Sequence, residues 1–106
     1  MPKYLAKAKY NADGARALIT EGGSGRVAAV TKAAKAIGGK VESFYFAYGG
    51  DDAFVILEAP SEAAALALSL AVNASGTVSL EMVPRISPKQ MDEAVKVSVK
   101  YRAPGA

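Results

Sequence analysis

The chain has 106 residues, of which 51% are hydrophobic and 22% are charged; this composition fits one folded domain and excludes an intrinsically disordered chain. It contains neither Cys nor His, which excludes disulfides, thiolate or histidine metal sites and a Ser-His-Asp triad, so no metal and no cofactor is predicted. The net charge of +3 comes from 13 basic residues interleaved with acidic ones, and this dispersed pattern predicts no nucleic acid partner.

The localisation is predicted from two further features. The N-terminal sequence MPKYLAKAKY alternates lysine with short apolar residues and lacks the apolar run of about 7 to 15 residues in a secretory signal. The longest apolar stretch, Ala63 to Val72, is far shorter than the roughly 20 residues that span a bilayer. The sequence therefore predicts a cytoplasmic protein without a membrane partner.

The first third of the chain predicts a strand, a glycine-rich loop and a helix. Lys3 to Tyr10 alternates with the period of two that a β-strand requires. After a short helical turn at Arg16 to Thr20, the segment Glu21 to Arg26 (EGGSGR) is predicted to be a loop. Apolar residues recur at helical spacing from Val27 to Ile37, and Gly38-Gly39 is predicted to end this helix with a left-handed cap.

The middle of the chain predicts a hairpin. Val41 to Tyr48 is rich in aromatic residues, Ala53 to Glu58 is rich in strand formers, and Gly49 to Asp52 supplies turn residues between them. Alternation makes both faces of this hairpin apolar, with Phe44, Phe46 and Tyr48 opposite Val41 and Tyr45 in one strand, and Phe54 and Ile56 opposite Val55 and Leu57 in the other.

The last third predicts two helices around one strand. Ser61 is a natural N-cap for a helix from Ala63 to Ala74, and Thr77 to Arg85 alternates as a strand. A capping box with proline at the first helical position predicts a third helix from Pro88 to Lys96. The segment Lys96 to Tyr101 again alternates and is either part of this helix or extended.

The order strand, helix, strand, strand, helix, strand predicts an α+β fold of the ferredoxin-like βαββαβ type with an extra C-terminal helix. One domain is expected over residues 1–102, with residues 103–106 as a short tail. Two helices cover only one face of the sheet, and leaving large apolar side chains in water forfeits about 1.5 to 3 kcal/mol each. A second copy of the chain, packed sheet against sheet, is the simplest cover, so a homodimer or an assembly of dimers is predicted.

Several stretches in order resemble the GYD domain family, namely MPKYLAKAKYNADGARAL, EGGSGR, IGGKVESFYFAYG and LALSLAVNASGTVSLEMVPRIS. The resemblance implies a dimeric α/β barrel fold and a homo-oligomer, and it implies no established activity. One position departs from the family pattern, because Asp51 stands where a tyrosine is expected at the hairpin, while Gly49 and Asp52 match.

Two loops supply the candidate ligand-binding residues. Ser24, Arg26 and the backbone N–H groups of the EGGSGR loop suit an anion at a helix start, although the loop matches no nucleotide-binding motif. The hairpin supplies Tyr48 and Asp52, and a meeting of the two loops would combine an acid, a phenol and a cation at one cavity mouth. The alternatives are a flexible turn capped by Ser24, turn hydrogen bonding by Asp52, and an exposed pair of Arg26 with Asp52.

Lys7 and Lys9 are the other candidate ligand-binding residues. They lie on the face of the first strand that points away from the helices, towards the covering partner. An enclosed ammonium group requires an anionic neighbour. That neighbour is either an acidic ligand or a carboxylate of Glu42 or Glu81 from another strand.

Three functions remain open at this point. The first is a homo-oligomeric protein that binds a small anionic or aromatic ligand between sheet and helices. The second is a cofactor-independent enzyme, oxygenase- or isomerase-like, of the kinds found among the dimeric α/β barrels to which the resemblance points. The third is a structural or interaction protein without a ligand. An apolar pocket lined by Tyr48, Asp52 and Arg26, with a perturbed carboxylate pKa, would favour the enzyme, and a filled barrel without a cavity would favour the third function.

Overall fold

The computed structural model describes residues 1–106 and contains one four-stranded antiparallel sheet and three helices. The elements in chain order are β1 (Lys3–Tyr10), α1 (Ala12–Ala36), β2 (Lys40–Phe46), β3 (Ala53–Glu58), α2 (Glu62–Ala74), β4 (Val78–Pro84) and α3 (Pro88–Val95). The strands lie in the order β2-β3-β1-β4, so β1 and β3 are central. The predicted ferredoxin-like α+β fold with an extra C-terminal helix is confirmed.

The alternation in β1 sets the two faces of the sheet. Tyr4, Ala6 and Ala8 are buried on the face that the helices cover, while Lys3 and Lys7 lie on the outer face. The core forms between this covered face and the helices, and its buried members are Tyr4, Ala6, Val55, Leu57, Ala59, Ala65 and Leu68. Several of these side chains are small, which leaves space between the sheet and the helices.

The glycine-rich segment is not the loop that was predicted, because α1 runs from Ala12 to Ala36 through it. The Asn11 side chain caps the start by accepting a hydrogen bond from the Gly14 N–H. Gly22 is the one residue inside with non-helical backbone angles, φ 78° and ψ 165°, in a region that is essentially restricted to glycine. The segment is therefore a kink that joins two helical halves.

One face assignment in β2 is wrong. The pairing of β2 with β3 shifts its register between Val41 and Ser43, so Glu42 is the extra residue of a β-bulge. A bulge reverses the alternation beyond it, and Val41 therefore packs against the core on the same side as Phe44. Tyr45 remains on the outer face, where it pairs with Phe54.

The ends of the remaining helices follow the predicted signals. The Ser61 hydroxyl accepts a hydrogen bond from the Ala64 N–H at the start of α2, and a capping box starts α3. Gly38 has φ 77° after α1, as the predicted left-handed cap requires. Residues 96–106 contain no helix or strand and are exposed. None of the three helices combines the length and the hydrophobicity that crossing a bilayer requires.

Candidate functional site

An apolar cavity of about 250 Å³ lies between the sheet and the helices. Its floor is formed by three alanines at the centre of the sheet, Ala6, Ala8 and Ala53, and Ala29 and Ala33 of α1 form part of its wall. Thirteen of its sixteen lining residues are hydrophobic. Because small residues occupy the positions where larger ones would meet, the layers do not fill the space between them. An engineered apolar cavity of about 150 Å³ binds benzene, so this space is large enough for a small aromatic molecule.

Polar groups are found at one side of this cavity. Arg26 is the only charged residue that lines it, and Tyr10, Ser75 and Thr77 line it as well. Burial raises the pKa of the Tyr10 phenol; neighbouring Arg26 lowers this pKa, whereas Asp52 and Glu21 raise it further. The phenol therefore stays protonated at neutral pH and is a hydrogen-bond donor there.

The kink of α1 brings Glu21 next to Arg26. The Arg26 Nε lies 3.6 Å from Glu21 Oε2 and is buried without a hydrogen-bond partner. Gly25 makes room for this arrangement, since a Cβ at that position would lie 2.7 Å from the Glu21 Cγ. The pair is therefore an ion pair without hydrogen bonding at Nε.

Asp52 joins the hairpin to the end of β1. Its Oδ2 accepts a hydrogen bond of 2.8 Å from the Tyr10 N–H, and its own N–H donates to the Ala8 carbonyl, also at 2.8 Å. The carboxylate therefore holds the strand that carries Tyr10. Asp52 and Arg26 both lie near Tyr10, and the ion-pair partner of Arg26 is Glu21 rather than Asp52.

The other two predicted loop residues lie away from this cavity. Tyr48 is fully exposed, and Ser24 is exposed within α1 just after the kink. Neither lines the cavity. Of the four residues predicted to meet at one cavity mouth, Arg26 alone lines the cavity, while Asp52 bonds the Tyr10 N–H nearby.

The two predicted lysines lie on the outer side of the sheet. The Lys7 Nζ is 3.8 Å from Glu81 Oε2, which is one of the two carboxylate neighbours that the sequence left open. The other carboxylate, Glu42, pairs with Lys3 at 3.0 Å. Lys9 is exposed and forms no ion pair. Neither Lys7 nor Lys9 lines the cavity between sheet and helices.

Sequence reasoning missed three residues at or near the cavity. Tyr10 was seen only as part of an alternating strand, and Glu21 only as the start of a loop. Asn73, near the end of α2, bonds to β4 through its amide: Oδ1 accepts from the Leu80 N–H at 2.7 Å and Nδ2 donates to the Leu80 carbonyl at 3.2 Å. Tyr10 could have been found from its place at the end of a strand, where a polar group reaches the edge of the sheet. Glu21 and Asn73 have no comparable signal in the sequence.

The structure contains no cluster of three or more side chains able to hold a metal ion.

The chain matches no curated protein and no solved structure. The family model of the GYD domain matches residues 4–95, which include nearly the whole sheet, all three helices and every residue that lines the cavity. The chain therefore belongs to the GYD domain family.

Proposed function

We propose that this protein binds a small organic molecule with an aromatic or similarly apolar body and one carboxylate or other acceptor group. The supporting observation is the cavity of about 250 Å³, which is apolar except where Arg26 and Tyr10 line it beside two hydroxyl side chains. Its volume is close to the lower limit of about 300 Å³ for small-molecule sites. The apolar lining suits the body of the ligand, and the polar side sets its orientation.

The polar side of the cavity favours an acceptor on the ligand. Arg26 and Tyr10 both line it as donors, since a guanidinium carries only donors and the Tyr10 phenol is kept protonated. An acceptor on the ligand would pair with these donors, and a hydrogen bond to a charged group contributes about 1.5 to 3 kcal/mol. The positive charge of Arg26 adds a preference for a carboxylate, which Glu21 at 3.6 Å reduces.

Binding is proposed ahead of catalysis for a specific reason. The candidate acid and phenol of the hairpin do not line the cavity, so no carboxylate or amine accompanies Tyr10, Ser75 and Thr77 there to act as a general base. The interior is also not filled, which speaks against a purely structural role.

Benzoate is a suitable probe, because it combines a ring with one carboxylate. Titration followed by NMR is expected to shift the signals of Ala8, Ala53 and Tyr10 and to saturate. The variant Arg26→Gln removes the cation, and Arg16→Gln makes the same change at an exposed site of α1. We expect roughly tenfold weaker binding for Arg26→Gln, as befits a lost charged hydrogen bond, and no change for Arg16→Gln.

Native mass spectrometry of protein isolated from its own host complements this titration. It is expected to show one retained small molecule per chain together with the mass of the assembly. Benzoate shifts that spread over the surface without saturating, combined with protein free of any retained molecule, would refute the proposal.

A homodimer that covers the outer face of the sheet is the second part of the proposal. Tyr45 is 72% exposed there, beside Phe54 at 36%, and Leu5, Ile56 and Val83 continue the apolar surface across the sheet. Burying these side chains against the same surface of a second copy gives a symmetric, self-complementary interface.

Light scattering over a dilution series tests this dimer. The variant Phe54→Asp places a charge within the outer face and is expected to give monomers. The variant Leu70→Asp places the same charge at an exposed site of α2 and is expected to leave the dimer intact. A wild-type protein that is monomeric at micromolar concentration would refute the dimer. Dissociation by Leu70→Asp alone would show that the interface does not lie on the outer face.

A further inference from the structure

The C-terminal arm, residues 86–106, projects from the rest of the protein. Every residue in it except Ser87 is exposed, and the exposed residues include six large apolar ones: Ile86, Met91, Val95, Val97, Val99 and Tyr101. The radius of gyration is 16.9 Å, against about 13 Å for a compact chain of this length. The arm therefore has an apolar surface that its own chain does not cover.

The end of this arm has the pattern of a β-strand. From Lys96 to Arg102, apolar residues alternate with polar ones: Val97, Val99 and Tyr101 would lie on one side and the basic residues on the other. α3 ends before this segment, at Val95. A lone strand is not stable in water, so this pattern requires the edge of a sheet.

The sheet has two edge strands, and only β2 is open. On β4, the Asn73 side chain bonds both the N–H and the carbonyl of Leu80, which blocks the centre of that edge. The backbone of β2 forms no hydrogen bond outside its pairing with β3. An unpaired edge of this kind is the usual acceptor for an added strand.

Length and charge also match. β2 has seven residues, as does the segment Lys96–Arg102. That segment carries three basic residues and no acidic one, while the unit of β2, hairpin and β3 carries four acidic residues, Glu42, Asp51, Asp52 and Glu58, and one basic residue, Lys40. The charges are +3 and −3, so the added strand and the receiving unit attract each other.

We propose that residues Lys96–Arg102 of one copy pair, as a fifth strand, with the open edge of β2 in a second copy, and that the exchange is reciprocal. The basic row lies on the outer face, where Glu42 and Tyr45 are found, and the apolar row continues the surface of Phe44 and Phe46. A second copy is the occupant because each arm leaves from β4, at the opposite edge of its own sheet. With a two-fold axis between the copies, the arm of each copy pairs with the β2 edge of the other.

The first experiment compares two neighbouring substitutions that add the same charge. Val99→Asp places a carboxylate in the apolar row, and Ser98→Asp places it in the polar row. We expect the dimer dissociation constant, measured by light scattering, to rise about tenfold or more for Val99→Asp and clearly less for Ser98→Asp, whose carboxylate weakens the charge attraction but stays in water. Equal effects of the two variants, or none, would overturn the proposal, whatever the result for Phe54→Asp on the outer face or for benzoate binding.

The second experiment uses the absence of native cysteine. A nitrogen-15-labelled chain with Ser98→Cys and an unlabelled chain with Glu42→Cys are mixed and treated with a short bismaleimide. We expect a cross-linked product that contains one labelled and one unlabelled chain, and no such product when Ala28→Cys, at an exposed site of α1, replaces Glu42→Cys. A chain that carries both Ser98→Cys and Glu42→Cys and links only within itself would overturn the proposal, as would the absence of any mixed product.

Discussion

Filling the cavity from α1 is expected to stabilise the protein. Ala29 lines the cavity, while its neighbour Ala28 is exposed on the same helix. The substitution Ala29→Leu adds three carbon atoms on the cavity side, and Ala28→Leu adds the same atoms on the solvent side. Both alanine and leucine have high helix propensity, so the comparison isolates the interior space.

The magnitude follows from the area removed from water. Burying three methylene-sized groups contributes about 2.4 kcal/mol at roughly 0.8 kcal/mol each. Restricting the leucine side chain opposes this by about 0.5 to 1 kcal/mol. Since Ala29 is only half-buried, part of the added group stays near the cavity mouth. We therefore expect Ala29→Leu to raise the unfolding free energy by about 1 to 2 kcal/mol.

The assay is chemical and thermal unfolding of protein refolded from denaturant, so that no retained molecule contributes. Each kcal/mol corresponds to a shift of roughly 4 to 8 °C in Tm for a domain of this size. Ala28→Leu is expected to stay within about 0.5 kcal/mol of the wild type. A loss of about 1 to 3 kcal/mol for Ala29→Leu alone is the result of overpacking a filled core, and it would refute the cavity.

Three further outcomes are expected. Gly22→Ala forces alanine into backbone angles that only glycine adopts readily, and it is expected to lower the unfolding free energy by about 1 to 3 kcal/mol. Gly50 has open space around it and no positive φ, so Gly50→Ala is expected to lower the unfolding free energy only slightly. Equal losses of stability in the two variants would contradict the kink. Asn73→Ala loses both hydrogen bonds to β4 and is expected to lower stability by about 1 to 2 kcal/mol, against less than about 0.5 kcal/mol for Ser69→Ala. Burial raises the pKa of Tyr10, so the folded state keeps a proton that the unfolded chain loses above about pH 10. The unfolding free energy measured in urea is therefore expected to fall as the pH rises through this range, and to fall less steeply in Tyr10→Phe. Parallel pH curves for the two proteins would contradict this reasoning.

Local patterns predicted most of the fold. The alternation from Lys3 to Tyr10 and from Ala53 to Glu58 sets both central strands with their observed bounds. Ser61 starts α2, the capping box starts α3, and Gly38 ends α1, as predicted. These signals lie within a few residues of the structure that they specify, because caps and strand alternation depend on near neighbours in the chain.

The two errors in the fold have one kind of cause. A single inserted residue in β2 moved Val41 to the covered face, and a single residue, Gly22, bends a continuous helix where a loop was expected. Neither a bulge nor a kink can be recognised from the composition of its segment. Each depends on what the neighbouring elements require, here the register with β3 and the course of α1 over the sheet.

The candidate site was predicted only in part. Arg26 and Asp52 were named from their loops and both lie near Tyr10, but of the four loop residues only Arg26 lines the cavity, and Tyr48 and Ser24 are exposed. The cavity itself depends on the distance between layers, which follows from the sizes of side chains that come from separate elements. The sequence by itself determined which segments become strands and helices; only the tertiary structure decided which side chains meet, because those contacts join residues that are far apart in the chain.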